Sequence, residues 1–325
     1  MEDTINIHEY LGNTSQLYGI EEHRLVGGKG DGIRLIEVNN GKGLMFTISA
    51  DRCGDISRLF YKGVNIGFFS PCGYVSPSFY DNRGTGFLKS FTAGFFTTCG
   101  LTAVGSPCVD DGEELPLHGT ISNIPAENVS WSDEGVLKIK LIIRDAALFS
   151  HKLLLTREYE CSLKENQIII HDCVENIGAE DCPYMILYHF NLGYPLLTEN
   201  TQLNIPFSRI LPRNERAAEG IDNAMNMEKP QKGFEEQCYY YDVTDGIIKI
   251  YNPDLGFSMT MMYDKNELPY FTQWKMMGSG EYVLGLEPGN CTPDGRDVMR
   301  KNGTLRYLKP SEKVHQTIKI IFSEE

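Results

Sequence analysis

Basic residues are in short supply: Lys and Arg total 30 against 44 Asp and Glu, a formal net charge of −14. Phosphate contacts need clustered cations, so a nucleic-acid partner is excluded, and an anionic membrane surface is disfavoured. No apolar run approaches the roughly 18 residues that span a bilayer. The opening MEDTINIHEYLG is acidic and polar, unlike a signal peptide. The nine cysteines contain no CxxC pair, and the Cys99/Cys108 and Cys173/Cys182 spacings are too wide for a zinc ribbon. Together these shortages predict a cytoplasmic protein with free, mostly buried thiols. The sequons Asn128-Val129-Ser130 and Asn302-Gly303-Thr304 then carry no meaning.

What is present is strand texture and turns. Ile33–Val38 and Leu44–Ser49 flank Asn39-Asn40-Gly41, a hairpin signature because Asn and Gly accept positive φ. Further strands are predicted over Leu137–Leu141, Leu153–Tyr159, Gln167–Val174 and Pro183–Asn191. The series continues with Gly246–Tyr251, Phe257–Tyr263, Glu281–Glu287 and Val314–Phe322. Only short windows such as Asn214–Met227 suit a helix. Many short strands separated by turns mean a sandwich or barrel rather than alternating β-α units. With no repeat or low-complexity linker, residues 1–325 read as one large all-β domain. Its long segments Gly105–Gly112 and Pro212–Gly233 read as loops, which at that length are usually functional or disordered.

Three stretches interrupt the apolar texture. In YMILYHFNLGYPLL, residues 184–197, alternation puts His189 and Asn191 on one face with Leu187, while Tyr188 and Phe190 point the other way. A polar pair buried there costs about 1–3 kcal/mol per unmet hydrogen bond, so it needs a partner or a ligand. In LPLHGTISNIPAE, His118 precedes a glycine that permits close backbone approach. In EYVLGLEPGNCTPDG, residues Glu281, Val283, Gly285 and Glu287 share a face. Gly285 leaves room beside Glu287, and Pro288 is expected to end a central strand. A carboxylate in that position suits a general base, its pKa lifted by partial burial.

Other patterns are read as structural. GGKGDG, residues 27–32, lacks dinucleotide or phosphate-loop spacing and is a turn. Asp51, Arg52 and Asp55 in SADRCGDIS suit an ion-pair turn, and Asp110–Glu114 a solvated loop at a pocket rim.

In their order, Leu117-His118-Gly119, Tyr188-His189-Phe190-Asn191-Leu192 and Leu286-Glu287-Pro288 resemble the aldose 1-epimerase (galactose mutarotase-like) superfamily, over roughly residues 25–322. The resemblance implies a large antiparallel β-supersandwich with a sugar site on its concave face. It implies that His189 is the acid, Glu287 the base and His118 a hydrogen-bonding partner of the sugar. Glu236 and Gln237 in FEEQCYYYD are the nearest counterparts of the family's sugar-gripping carboxylate. The family's Gly-Arg-x-x-Asn-Arg-like motif upstream of the loop histidine is missing, which leaves Arg52, Arg83 and Lys89 as basic candidates. Gly119-Thr120 replaces the usual Gly-Gly. Asn191 and the loop around Asn290 are candidates for sugar hydroxyls, and Trp274 for stacking on a sugar face or for the core.

These departures suggest a divergent branch. The expected function is an isomerase that interconverts anomers of a monosaccharide or sugar derivative, with a small carbohydrate as substrate and no metal or redox cofactor. A homodimer is left open. A non-catalytic carbohydrate-binding protein on the same fold remains an alternative. A glycoside hydrolase or lyase ranks lower, because hydrolysis usually wants two flanking carboxylates.

Overall fold

Alternation in the sequence becomes alternation of burial. In the strand Val136–Ala146, Leu137, Ile139, Leu141 and Ile143 are buried while Lys138, Lys140 and Arg144 face solvent. This strand belongs to a computed structural model that describes residues 9–325. Residues 1–8 of the N-terminal reading lie outside the described residues.

The strand lies in an eight-stranded antiparallel sheet. From edge to edge the sheet runs Asn128–Ser132, Val136–Ala146, Lys152–Ser162, Gln167–Asn176, Lys313–Glu324, Phe257–Tyr263, Ile247–Asn252 and Gln202–Asn204. A second sheet runs Phe207–Pro212, Gln237–Val243, Tyr270–Gly278, Glu281–Gly289, Cys182–Leu192 and Arg306–Leu308, with Phe96–Leu101 also paired to Cys182–Leu192. A third sheet of five strands begins at Gly19–Arg24 and ends at Val64–Asn65. Phe46, Leu141, Ile170 and Tyr188, drawn from all three sheets, meet in one apolar core. This is the antiparallel supersandwich the resemblance implied.

A buried polar cluster crosses that core. Arg157, with no exposed surface, donates to both Asp172 oxygens (2.9 and 2.6 Å), to Asp55 Oδ1 (2.7 Å) and to Thr98 Oγ1 (2.8 Å). Tyr188 Oη donates to Asp172 Oδ2 at 2.7 Å. One guanidinium thus ties together a strand from each sheet, and the Tyr188 strand is the one that carries His189.

Every strand read from the sequence is present, most of them longer by one to several residues. Others were not read, among them Gly19–Arg24, Asp55–Tyr61, Phe96–Leu101, Gln237–Val243 and Tyr270–Gly278, which gave no clean alternation. Phe96–Leu101 is buried on both faces, which erases the period-two signal. Pro288 does not end its strand, which continues to Gly289. Near a strand terminus the missing N–H costs only local ladder bonds. Asp110 is not solvated: it is buried and binds Arg296 and Arg300. The 214–227 window holds only the short helix Glu215–Glu219 and a 3₁₀ turn at Ile221–Asn223. No helix among the described residues is long and apolar enough to cross a membrane. All nine cysteines are free, six of them buried.

Candidate active site

Register builds the site. Leu187 pairs with Gly289 and Phe190 with Leu286, so continuity of the two antiparallel strands sets His189 opposite Glu287. The ladder skips that pair and its neighbour, Tyr188 opposite Pro288, which has no N–H to give. On the outer sides, His189 pairs with Thr97 and Glu287 with Thr272. One row of side chains therefore crosses the sheet as Thr97, His189, Glu287 and Thr272. Two residues along, on the same face, the next row is Asn191, Gly285, Trp274 and Cys238.

Gly285 decides where the carboxylate goes. A Cβ there would lie 2.5 Å from Glu287 Oε1 and 2.9 Å from Trp274 Cβ. Its absence lets Glu287 lean back over its own strand, with Oε1 3.1 Å from His189 Nε2. That distance allows a proton to pass, but Glu287 Oε1 has no aligned hydrogen-bond donor in the protein.

His118 enters from a loop that the backbone pins at several points. Its N–H donates to Gly105 O (2.9 Å), its carbonyl accepts from Gly100 N (3.1 Å), and Leu117 N donates to Gly84 O (2.9 Å). His118 itself has φ +59°, and Gly119 follows at φ +72°. A Cβ on Gly119 would sit 2.4 Å from the carbonyl oxygens of Gly100 and Ala103, so only glycine fits. The His118 ring stands edge-on to the His189 ring, centroids 5.6 Å apart. Phe87 packs against His118, and Phe91 and Trp274 against His189, which holds both imidazoles in place.

These groups line a cavity of about 390 Å³, a small-molecule volume. Burial raises the Glu287 carboxyl to about 8, against the pull of the Arg213 charge and with a push from Glu236. Burial lowers His189 to about 4, offset in part by its hydrogen-bonded neighbour Asn191. Burial, with the His189 and Arg213 charges, takes His118 down to about 3. The Nδ1 atoms of both histidines and Thr272 Oγ1 are buried without a hydrogen-bond partner in the protein. Such groups gain if a bound molecule supplies the missing bonds.

Glu236 and Trp274 also line the cavity, and Trp274 Nε1 donates to Glu236 Oε2 at 2.7 Å. Trp274 is therefore at the site rather than in the core. The structure places the other candidates elsewhere. Arg52 is buried and spends its guanidinium on the carbonyls of Ser122, Val75 and Ser90. Arg83 is exposed in a turn, and Lys89 pairs with Asp81 at the surface. Gln237 turns its amide toward Arg216 O, outside the cavity wall. Asn191 supports the His189 strand, donating to His189 O (2.8 Å) and Ala93 O (3.2 Å). Asn290 accepts from Ile186 N and donates to Tyr184 O, a purely internal role.

The basic residue that does face the cavity is Arg213. It follows the strand Phe207–Pro212, donates to Ser106 Oγ (2.8 Å) and Pro293 O (3.1 Å), and lies 3.3 Å from Asp294. It sits at the start of the long 212–233 loop. It lies downstream of His118, whereas the resemblance puts its arginine upstream.

Structures of several proteins superpose on this chain. One from Klebsiella pneumoniae, described as a "putative aldose 1-epimerase", is 25% identical, with a TM-score of 0.90 over 96% of this chain and 87% of that one. A galactose mutarotase-like protein from Clostridium acetobutylicum is 16% identical, with a TM-score of 0.67 over 95% and 100% of the two chains. A galactose 1-epimerase from Lactobacillus acidophilus is 14% identical, with a TM-score of 0.63 over 94% and 99%. No functionally curated protein matches the sequence. A family model described as "Domain of unknown function (DUF4432)" matches residues 30–321. The chain thus belongs to the DUF4432 family and carries the galactose mutarotase-like β-sandwich fold.

Proposed function

We propose that the protein interconverts the anomers of a reducing sugar or sugar derivative. The observation that carries this reading is the His189–Glu287 pair, 3.1 Å apart in one cavity, with one group titrating near 4 and the other near 8. Between those values the pair as a whole holds one proton, which rests on Glu287 and reaches His189 across the 3.1 Å gap before ring opening begins. Ring opening needs that much and no more. Glu287 takes the proton of the C1 hydroxyl while His189 gives one to the ring oxygen. The C1–O5 bond breaks, its electrons stay with the ring oxygen, and C1 becomes a carbonyl. Rotation about C1–C2 and the reverse transfers close the ring on the other face. Acid and base each contribute roughly 10²–10⁴-fold in such steps.

The other residues position the sugar. His118, neutral at working pH, offers a hydrogen bond to a hydroxyl. Trp274 presents an aromatic face, and the Glu236 carboxylate it steadies accepts from hydroxyls. Arg213 stabilises the ionised form of Glu287, opposing the effect of burial. A panel of reducing sugars and sugar acids in saturation-exchange NMR tests the proposal. At least one should show anomer exchange well above the buffer rate. Saturable binding with exchange at the buffer rate throughout would instead make the protein a carbohydrate binder.

A further inference from the structure

A second cavity of about 330 Å³ adjoins the first, sharing Leu88, Phe91, Glu236 and Trp274 along the border. Its position follows from the same register. After the Glu287/Thr272 row and the Gly285/Trp274 row, the next pair on that face is Val283 with Met276. Four residues of strand separate Val283 from Glu287, roughly 13 Å. The border residue Trp274 lies opposite Gly285, only two residues or roughly 7 Å along from Glu287, so the second cavity begins about one sugar ring away from the reacting groups.

Its chemistry differs from that of the first. Phe68, Pro71, Met276 and Val283 wall it. Two of the polar groups among its walls are committed, Ser70 Oγ donating to Phe91 O and Cys72 Sγ to Leu88 O, while the exposed Glu236 and Glu281 keep carboxylate oxygens free. A second sugar would leave most of its hydroxyls unpartnered here, at a cost for each. A hydrocarbon group would lose nothing and bury its surface.

We infer that the substrate is a reducing sugar bearing an apolar aryl or acyl substituent, with the ring in the first cavity and the substituent in the second. This rests on the anomer-exchange reading. Because that reaction needs a free C1 hydroxyl, the substituent hangs from another carbon.

Calorimetric titration tests this with D-glucose and D-galactose, each bare, with a benzyl ether at O4 or O6, and with a second hexose at O4. One benzyl ether should bind about thirty-fold or more tighter than its bare sugar, the gain expected for burying one ring. In Met276→Trp, which fills the second cavity, that affinity ratio should fall to near one. Equal affinities of bare and benzylated sugars, tighter binding of the disaccharide, or a ratio unchanged by Met276→Trp would overturn the inference. So would no binding of any of them. Preferred binding of the benzyl ether without anomer exchange would leave the second cavity's role intact and sink the isomerase reading alone.

Discussion

His189 and Glu287 are pushed in opposite directions by one cause. Burial disfavours charge, so it raises the carboxyl to about 8 and lowers the imidazole to about 4. Below the lower value the pair carries two protons and has no base. Above the upper value it carries none and has no acid. The pH profile of kcat/KM for anomer exchange should therefore be a bell, with limbs near 4 and 8 and a plateau between. A profile that keeps rising past pH 9 would contradict the single-proton pair. His118, near 3, adds no limb in this range. At this scale the sequence was legible where polarity broke an apolar pattern: His189 in a buried strand, Glu287 beside Gly285, His118 before a glycine. It was illegible at Arg213, an ordinary arginine in a polar loop. Only the three-dimensional meeting with Ser106, Pro293 and Asp294 marks that residue out.

The elements that matter are two adjacent strands, Cys182–Leu192 and Glu281–Gly289, whose register sets His189 opposite Glu287. Gly285 is the position where the strand gives way to the carboxylate. Gly285→Ala should lower the exchange rate by about 100-fold, since displacement of a reacting group by an ångström costs that order. Circular dichroism should show the sheet retained. Wild-type activity in that variant would mean that the backward lean of Glu287 is unimportant. The strand face could be read from alternation. The register could not, because it depends on which strands pair. The strand Tyr270–Gly278 that completes the rows has six of its nine residues buried, the polar Thr272, Gln273 and Lys275 among them, so its polarity does not alternate.

Across the whole molecule, the Arg157 cluster joins the three sheets behind the site. Burying a guanidinium with two carboxylates is costly unless each is satisfied, as here. Arg157→Met leaves Asp55 and Asp172 buried without their cation. It should destabilise the fold by about 3–5 kcal/mol in urea denaturation. A loss under about 1 kcal/mol would show the cluster to be dispensable. Its composition was invisible in the sequence, where Asp55 read with Asp51 and Arg52 as a local ion-pair turn and Arg157 as a strand residue. The partners are 102 positions apart.

The most direct test of the account is saturation-exchange NMR at pH 7 on a sugar whose anomers the wild-type protein exchanges, repeated with Glu287→Gln and His189→Asn. The account predicts a fall of roughly 10²-fold or more for each variant, with folding intact. Exchange at the wild-type rate in both variants would contradict it.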